Sequence, residues 1–216
     1  MKLDATTLLT NTVYSNYNIR NRFYQCLRRK HKLRIKHHTR TSRIPKDLLI
    51  DHRPERINSR EEFGHWEGDL MIFKRNVKSN LITLRERKSR YLIAIKNENK
   101  TASGTALTLI STVKNVKKAI HSITFDQGME FQKFEWINDC LNTDVYFCHP
   151  ASPHEKGAIE NVNGVIRVEL PRSLNIDLLK QKDVLRITEE INNRPLKCLN
   201  YQTPAELFSE HLRYVN

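Results

Sequence analysis

Residues 65–97 read HWEGDLMIFKRNVKSNLITLRERKSRYLIAIKN. Three runs in this stretch, HWEGDLMIF, NLITLRER and RYLIAIKN, have the composition of strands and are joined by short polar turns. Their closeness predicts an antiparallel meander. Working outward, TASGTALTLISTVKNVKKAI predicts a helix with Ala106, Leu109, Ile110 and Val113 on one face. HSITFD is a short strand that ends at Asp126, FQKFEWINDCL a second helix, and DVYFCH a fifth strand. A third helix follows, so the order is three strands, helix, strand, helix, strand, helix.

That third helix carries a start signal, Ser152-Pro153-His154-Glu155. Ser at the cap can accept an orphan amide, Pro suits the first helical position, and Glu can reach back to the cap amide. The helix is expected to stop before Pro171. A second such box, Thr203-Pro204-Ala205-Glu206, opens a short final helix. Both boxes have a structural explanation and are assigned no catalysis.

Three acids stand out on this framework. Asp69 lies inside the first strand, where an unpartnered charge is costly to bury. Asp126 closes the fourth strand, and Glu160 sits about two turns into the third helix. If the first and fourth strands are neighbours, Asp69 and Asp126 face each other and a helix packed across them adds Glu160. Three carboxylates together repel unless divalent cations neutralise them. An oxygen-only set suits Mg²⁺ or Mn²⁺ better than zinc. Singly, each acid has an ordinary reading as a turn, surface or strand-edge charge. Glu67 competes with Asp69, because residues two apart share a strand face, and spacing does not decide between them. Glu160, Asn163, Gly164 and Arg167 share one helix face, a largely polar stripe suited to metal and phosphate. Gly157 and Gly164 each cost about 1 kcal/mol relative to Ala inside a helix, which close approach of another backbone would explain.

The charge balance is strongly basic, +13 overall, and between Arg20 and Lys46 there are eleven Lys or Arg and no acid. Such a block repels itself unless a polyanion neutralises it, which marks a nucleic-acid arm. Within it Arg28, Arg29, Lys30, Lys32, Arg34 and Lys36 are the candidate DNA contacts. The arm and linker are expected over residues 1–55, partly helical, and the catalytic core over 56–216. No apolar run is long enough for a membrane span, and the N-terminus lacks a secretory pattern. The four cysteines lack zinc-knuckle spacing and read as reduced thiols of a cytoplasmic protein.

The segments GHWEGDLM, LITLRERKSRY, ITFDQGMEF, HPASPHEKGAIENVNGVIR and NNRPLKCLNYQTPAELF resemble insertion-sequence transposases of the IS-thirty family. The similarity covers about residues 55–210. It implies an α/β, ribonuclease-H-like fold, the integrase catalytic core, with a mixed five-stranded sheet flanked by helices. It also implies Asp69, Asp126 and Glu160 as a DDE triad holding two Mg²⁺ or Mn²⁺ ions. The reaction implied is strand cleavage and transfer at transposon ends, by a homo-oligomer on DNA at the bacterial nucleoid. Arg167, seven residues after the Glu, is implied as a contact to end DNA; Asn163 and Lys156 join it as candidate DNA contacts. Gln127 stands where the family often has Asn, and PHEKGAIEN replaces a more usual aromatic-containing version. Family members also carry N-terminal helix-turn-helix regions that this chain is too short to hold in full, so a truncated copy is expected. A DNA-binding remnant without activity and a nuclease using the same triad are the rival readings. His65, His149 and His154 are weak acid–base candidates.

Overall fold

The structure is a computed structural model that describes residues 44–74, 77–150 and 152–215. Five strands form one sheet: β1 (His65–Met71), β2 (Asn80–Glu86), β3 (Leu92–Asn97), β4 (Ser122–Phe125) and β5 (Asp144–Phe147), in the order β3-β2-β1-β4-β5. The meander is antiparallel, with Asp69 opposite Thr83 and Thr83 opposite Ala94. β4 joins the other side of β1 in parallel, and β5 joins β4 in parallel, so the sheet is mixed.

Alternation along the strands sorts side chains between two cores. Trp66, Ile82 and Leu84 face a core shared with α1 (Ala102–Val113) and α2 (Phe134–Leu141), through Leu109, Val113, Ile137 and Leu141. Met71, Leu81 and Leu92 face a second core with Ile159, Val162 and Ile166 of α3 (Gly157–Glu169) and Val184 and Ile187 of α4 (Gln181–Asn192). The sheet is covered on both faces, and every residue of β2 is buried. Gly68 is required where it stands, because a Cβ there would lie 2.3 Å from the Phe125 ring.

The α1 stripe is as expected, with Ala106, Leu109 and Val113 buried and Thr101 capping the helix by accepting from the Gly104 amide at 3.1 Å. Three features differ from the sequence reading. Residues 44–55, expected as linker, pack into the core unit: Leu49 bridges Phe147, Arg53 donates to Thr124, and Ile44 and Leu48 abut the first core. Helix α4, absent from the expected order, lies on β3, where the Asn192 amide pairs with both the N–H and the C=O of Leu92 at 2.8 Å. The start of α3 is not a capping box. Pro153–Lys156 is a 3-10 turn with no side-chain cap from Ser152, and Glu155 instead accepts from the amide and ring of His149. The second box is present: Thr203 and Glu206 exchange hydrogen bonds at 2.8 and 3.2 Å and start α5 (Pro204–Val215).

Arg28, Arg29, Lys30, Lys32, Arg34 and Lys36 lie outside the described residues. No helix among the described residues is long and apolar enough to cross a membrane.

Candidate active site

Parallel pairing of β1 with β4 runs through Glu67 and Thr124. Continued two residues, that register sets Asp69 beside Asp126, just beyond the end of β4. The Asp126 carboxylate is fixed by accepting the Gly128 amide at 3.1 Å. Between the two acids sits the ammonium of Lys156, 3.1 Å from Asp69 Oδ1 and 3.5 Å from Asp126 Oδ2. It also donates to the Gly68 carbonyl. Lys156 is only 6% exposed, so this candidate DNA contact points inward instead. Burial pulls its ammonium down, but Asp69 and Asp126 outweigh that and hold it above the ordinary lysine value.

The second Asp69 oxygen accepts from Asn163 Nδ2 at 2.7 Å, and Thr83 donates to Asn163 Oδ1 at 3.0 Å. Asn163 therefore orients Asp69 rather than projecting free toward DNA. Glu160 is exposed one turn earlier on α3 and lines a cleft of about 640 Å³ together with Asp69, Asn163, Gly164, Arg167 and Arg172. The Arg167 guanidinium donates to the Ile72 carbonyl at 2.9 Å and lies 4.6 Å above the Phe73 ring. Burial, with Arg172 nearby, lowers its pKa. Among the described residues, Gly157 and Gly164 have no other backbone close by: a Cβ at either would meet nothing there within 4 Å.

The structure thus brings Asp69 and Asp126 onto one cation and sets Glu160 on the wall of the cleft that Asp69 also lines. Among the described residues, no three His, Cys, Asp or Glu groups converge tightly enough to hold a single ion. The donor set still fits a hard cation, because the Lys156 ammonium already stands in for one between the two aspartates.

Glu67, the competitor, is taken out of the cleft. It is fully buried, ion-paired with Arg87 at 2.8 Å, and accepts the Ile159 amide in the first turn of α3 at 3.1 Å. Glu130 was not singled out in the sequence and belongs at the site. Its carboxyl folds over Gly128, where a Cβ would lie 2.6 Å from it. Burial first, then the charges of Asp126 and Asp69, raise its pKa. The only sequence signal was its place four residues after Asp126, across a turn.

Of the candidate histidines, His65 and His149 do not line the cleft, and the His154 side chain lies outside what the structure describes. His65 is buried between Ser122 and Glu62, and burial lowers its pKa. His149 bridges Glu155 and Asp51, each at 2.9 Å, and the bond to Glu155 raises its pKa above the ordinary value. Because the folded value is raised, this bridge is fully present below the unfolded value near 6.5 and is lost as pH rises through the folded one. An NMR titration is expected to place His149 above 6.5, and Glu155→Gln to bring it down; a value at or below 6.5 would refute the bridge.

No protein-family model matches the chain. A transposase for insertion sequence element IS4351 from Bacteroides fragilis is 38% identical over 167 residues, 77% of this chain and 51% of that protein. Transposase InsI for insertion sequence element IS30A from Escherichia coli (strain K12) is 35% identical over 193 residues, 85% of this chain and 49% of that protein. The chain is a homologue of IS30-type insertion-sequence transposases. It spans about half the length of these transposases. The crystal structure of the catalytic core domain of BIV integrase matches with a TM-score of 0.51 at 18% identity, over 71% of this chain and 99% of that one. The fold of this transposase homologue is therefore the ribonuclease-H-like integrase core, as the motifs implied.

Proposed function

We propose that this chain is the catalytic part of an insertion-sequence transposase that cuts DNA strands at transposon ends and joins them to a target. The observation that carries this reading is the Asp69–Asp126 pair, set side by side by parallel strands and closed on the Lys156 ammonium, with Glu160 lining a cleft beside Asp69. Asp69, Asp126 and Glu160 would hold Mg²⁺ or Mn²⁺, two ions as in other phosphoryl-transfer centres. Bound there, the ions would supply positive charge for in-line displacement at phosphorus. Asn163 holds one Asp69 oxygen in place, Arg167 and Arg172 present cationic edges to a phosphate backbone, and the open face at Gly164 leaves room for a strand. Relatives named as insertion-sequence transposases support DNA as the substrate, and a homo-oligomer on paired ends in a bacterial nucleoid setting is part of the same proposal. The basic block at residues 20–46 is assigned to phosphate neutralisation, which positions DNA without reading bases.

The test is labelled transposon-end DNA with Mg²⁺ and the purified chain. Joined products support the transposase, cleavage without joining supports the nuclease, and a mobility shift without chemistry supports a binding remnant.

Metal binding can be read separately from activity. Lys156 competes for the aspartates, so added Mn²⁺ is expected to raise the melting temperature of the wild type only slightly. Lys156→Met removes the competitor and leaves two carboxylates facing each other. Its metal-free form should melt lower, and Mn²⁺ at about a hundred times the dissociation constant should restore about 2.7 kcal/mol. A variant no more responsive to Mn²⁺ than the wild type would refute Lys156 as the internal counter-ion of a metal site.

A further inference from the structure

On the other side of α3 from the acidic cleft lies a second cleft of about 630 Å³, between α3, α4 and the segment after α4. Its walls are apolar, from Val162 and Val165 on α3, Ile187 and Ile191 on α4, and Leu196 beyond. Arg85 of β2 also lines it. The strand directs Arg85 to this face, since Leu81 and Thr83 on the same side meet α3 residues.

Arg85 is unusual. It is 6% exposed, and among the described residues its Nε and Nη1 have no hydrogen-bond partner. Glu67, directly opposite in the strand register, gives its carboxylate to Arg87 instead. Burial, then repulsion from Arg90, lowers the Arg85 pKa to about 10, so it is still a cation at neutral pH. A buried guanidinium without an acceptor is strongly disfavoured and is ordinarily found paired. Further cations, Arg194 and Lys197, line the same cleft. Of its two acids, Glu169 and Glu190, the latter is ion-paired with Arg186 at 2.5 Å.

We propose that this cleft is a binding site for a small amphipathic carboxylate, its head on Arg85 and its hydrocarbon body between α3 and α4. The size is that of ordinary small-molecule sites, which combine apolar walls with a few placed polar groups. A carboxylate supplies what Arg85 lacks, and the planar guanidinium suits it better than it suits a neutral head. An apolar chain is needed as well, because the walls give a free acid such as acetate nothing to bury against. The site shares no lining residue with the acidic cleft and does not depend on the function assigned there.

The probe is octanoate, titrated into the whole chain by calorimetry and by ¹H–¹⁵N NMR, with acetate and 1-octanol as controls. Octanoate is expected to bind saturably at one site and shift resonances of Val165, Ile187 and Ile191, whereas acetate does not bind and 1-octanol binds more weakly. Arg85→Leu is expected to fold, melting no lower than the wild type, because it removes an unpartnered buried cation. It should lose octanoate affinity by about tenfold or more and no longer prefer the acid over the alcohol. Should Arg85→Leu fail to fold, Ile187→Trp, which fills the cleft and leaves Arg85 in place, should abolish octanoate binding. Acetate binding as well as octanoate, a response that never saturates, unchanged affinity in Arg85→Leu or Ile187→Trp, or shifts mapping elsewhere would each overturn the proposal.

Discussion

Asp69→Asn, Asp126→Asn and Glu160→Gln are each expected to reduce metal-dependent cleavage of end DNA by about a thousandfold or more, and any two together by little beyond that. Residues that act as one unit give non-additive losses of this kind. Each amide keeps the shape of its acid and removes the charge that a divalent cation needs. Stability separates the three. Asp69 and Asp126 are the counter-ions of the buried Lys156 ammonium, so either Asn variant should also melt lower. Glu160 is exposed, and its Gln variant should melt like the wild type. Glu160→Gln is therefore the decisive one: full folding with cleavage lost assigns it to the reacting centre. Near-normal cleavage in Mg²⁺ by any of the three would remove that residue from the triad.

The framework of this site was legible because it is encoded locally. Strand-like composition and short polar turns mark β1, β2 and β3 as a meander, and a strand that ends on Asp126 next to a turn places that acid at a strand tip. The Asp69–Asp126 pairing needed one further assumption, that β4 joins β1, which the register bears out. What escaped was long-range or short. Lys156 reaches Asp69 across 87 residues of sequence, and nothing in its own neighbourhood distinguishes a buried lysine from a DNA-facing one. The acid of the Ser152–Glu155 signature bonds to His149, because that imidazole and its amide offer two donors where the cap offers one. Residues 44–55 look like linker because their apolar side chains are few and irregular, yet Leu49 and Arg53 find partners on β5 and β4. Glu67 and Asp69 could not be ranked by spacing; the fold ranks them by giving Glu67 a buried arginine.

That arginine makes Glu67 the most consequential position for stability. Glu67→Ala is expected to cost about 3–5 kcal/mol, the usual result of removing one partner of a buried pair. Such a loss is a large part of the total stability of a domain, about 5–15 kcal/mol. It leaves Arg87, whose side chain is 4% exposed, with a weak bond to the Asn58 carbonyl at 3.4 Å and an Nε that already has no partner among the described residues. It also orphans the Ile159 amide at the start of α3, the helix that carries Glu160 and Asn163. Glu67→Gln should be milder, about 1.5–3 kcal/mol, because the amide oxygen can still accept from Ile159 while the charge is lost. Combining Glu67→Gln with Arg87→Met should recover part of the loss, since the two changes remove both charges rather than one. Chemical denaturation of the wild type, the single variants Glu67→Gln and Arg87→Met, and the double variant gives the coupling directly, and cleavage measured well below each melting temperature tells anchoring from chemistry. If Glu67→Gln unfolds at the wild-type denaturant midpoint but has lost cleavage, Glu67 acts in the reaction and the ion pair is not its purpose. If stability falls while the folded fraction still cleaves, the helix anchor is the role of Glu67, and Asp69 keeps its place in the triad.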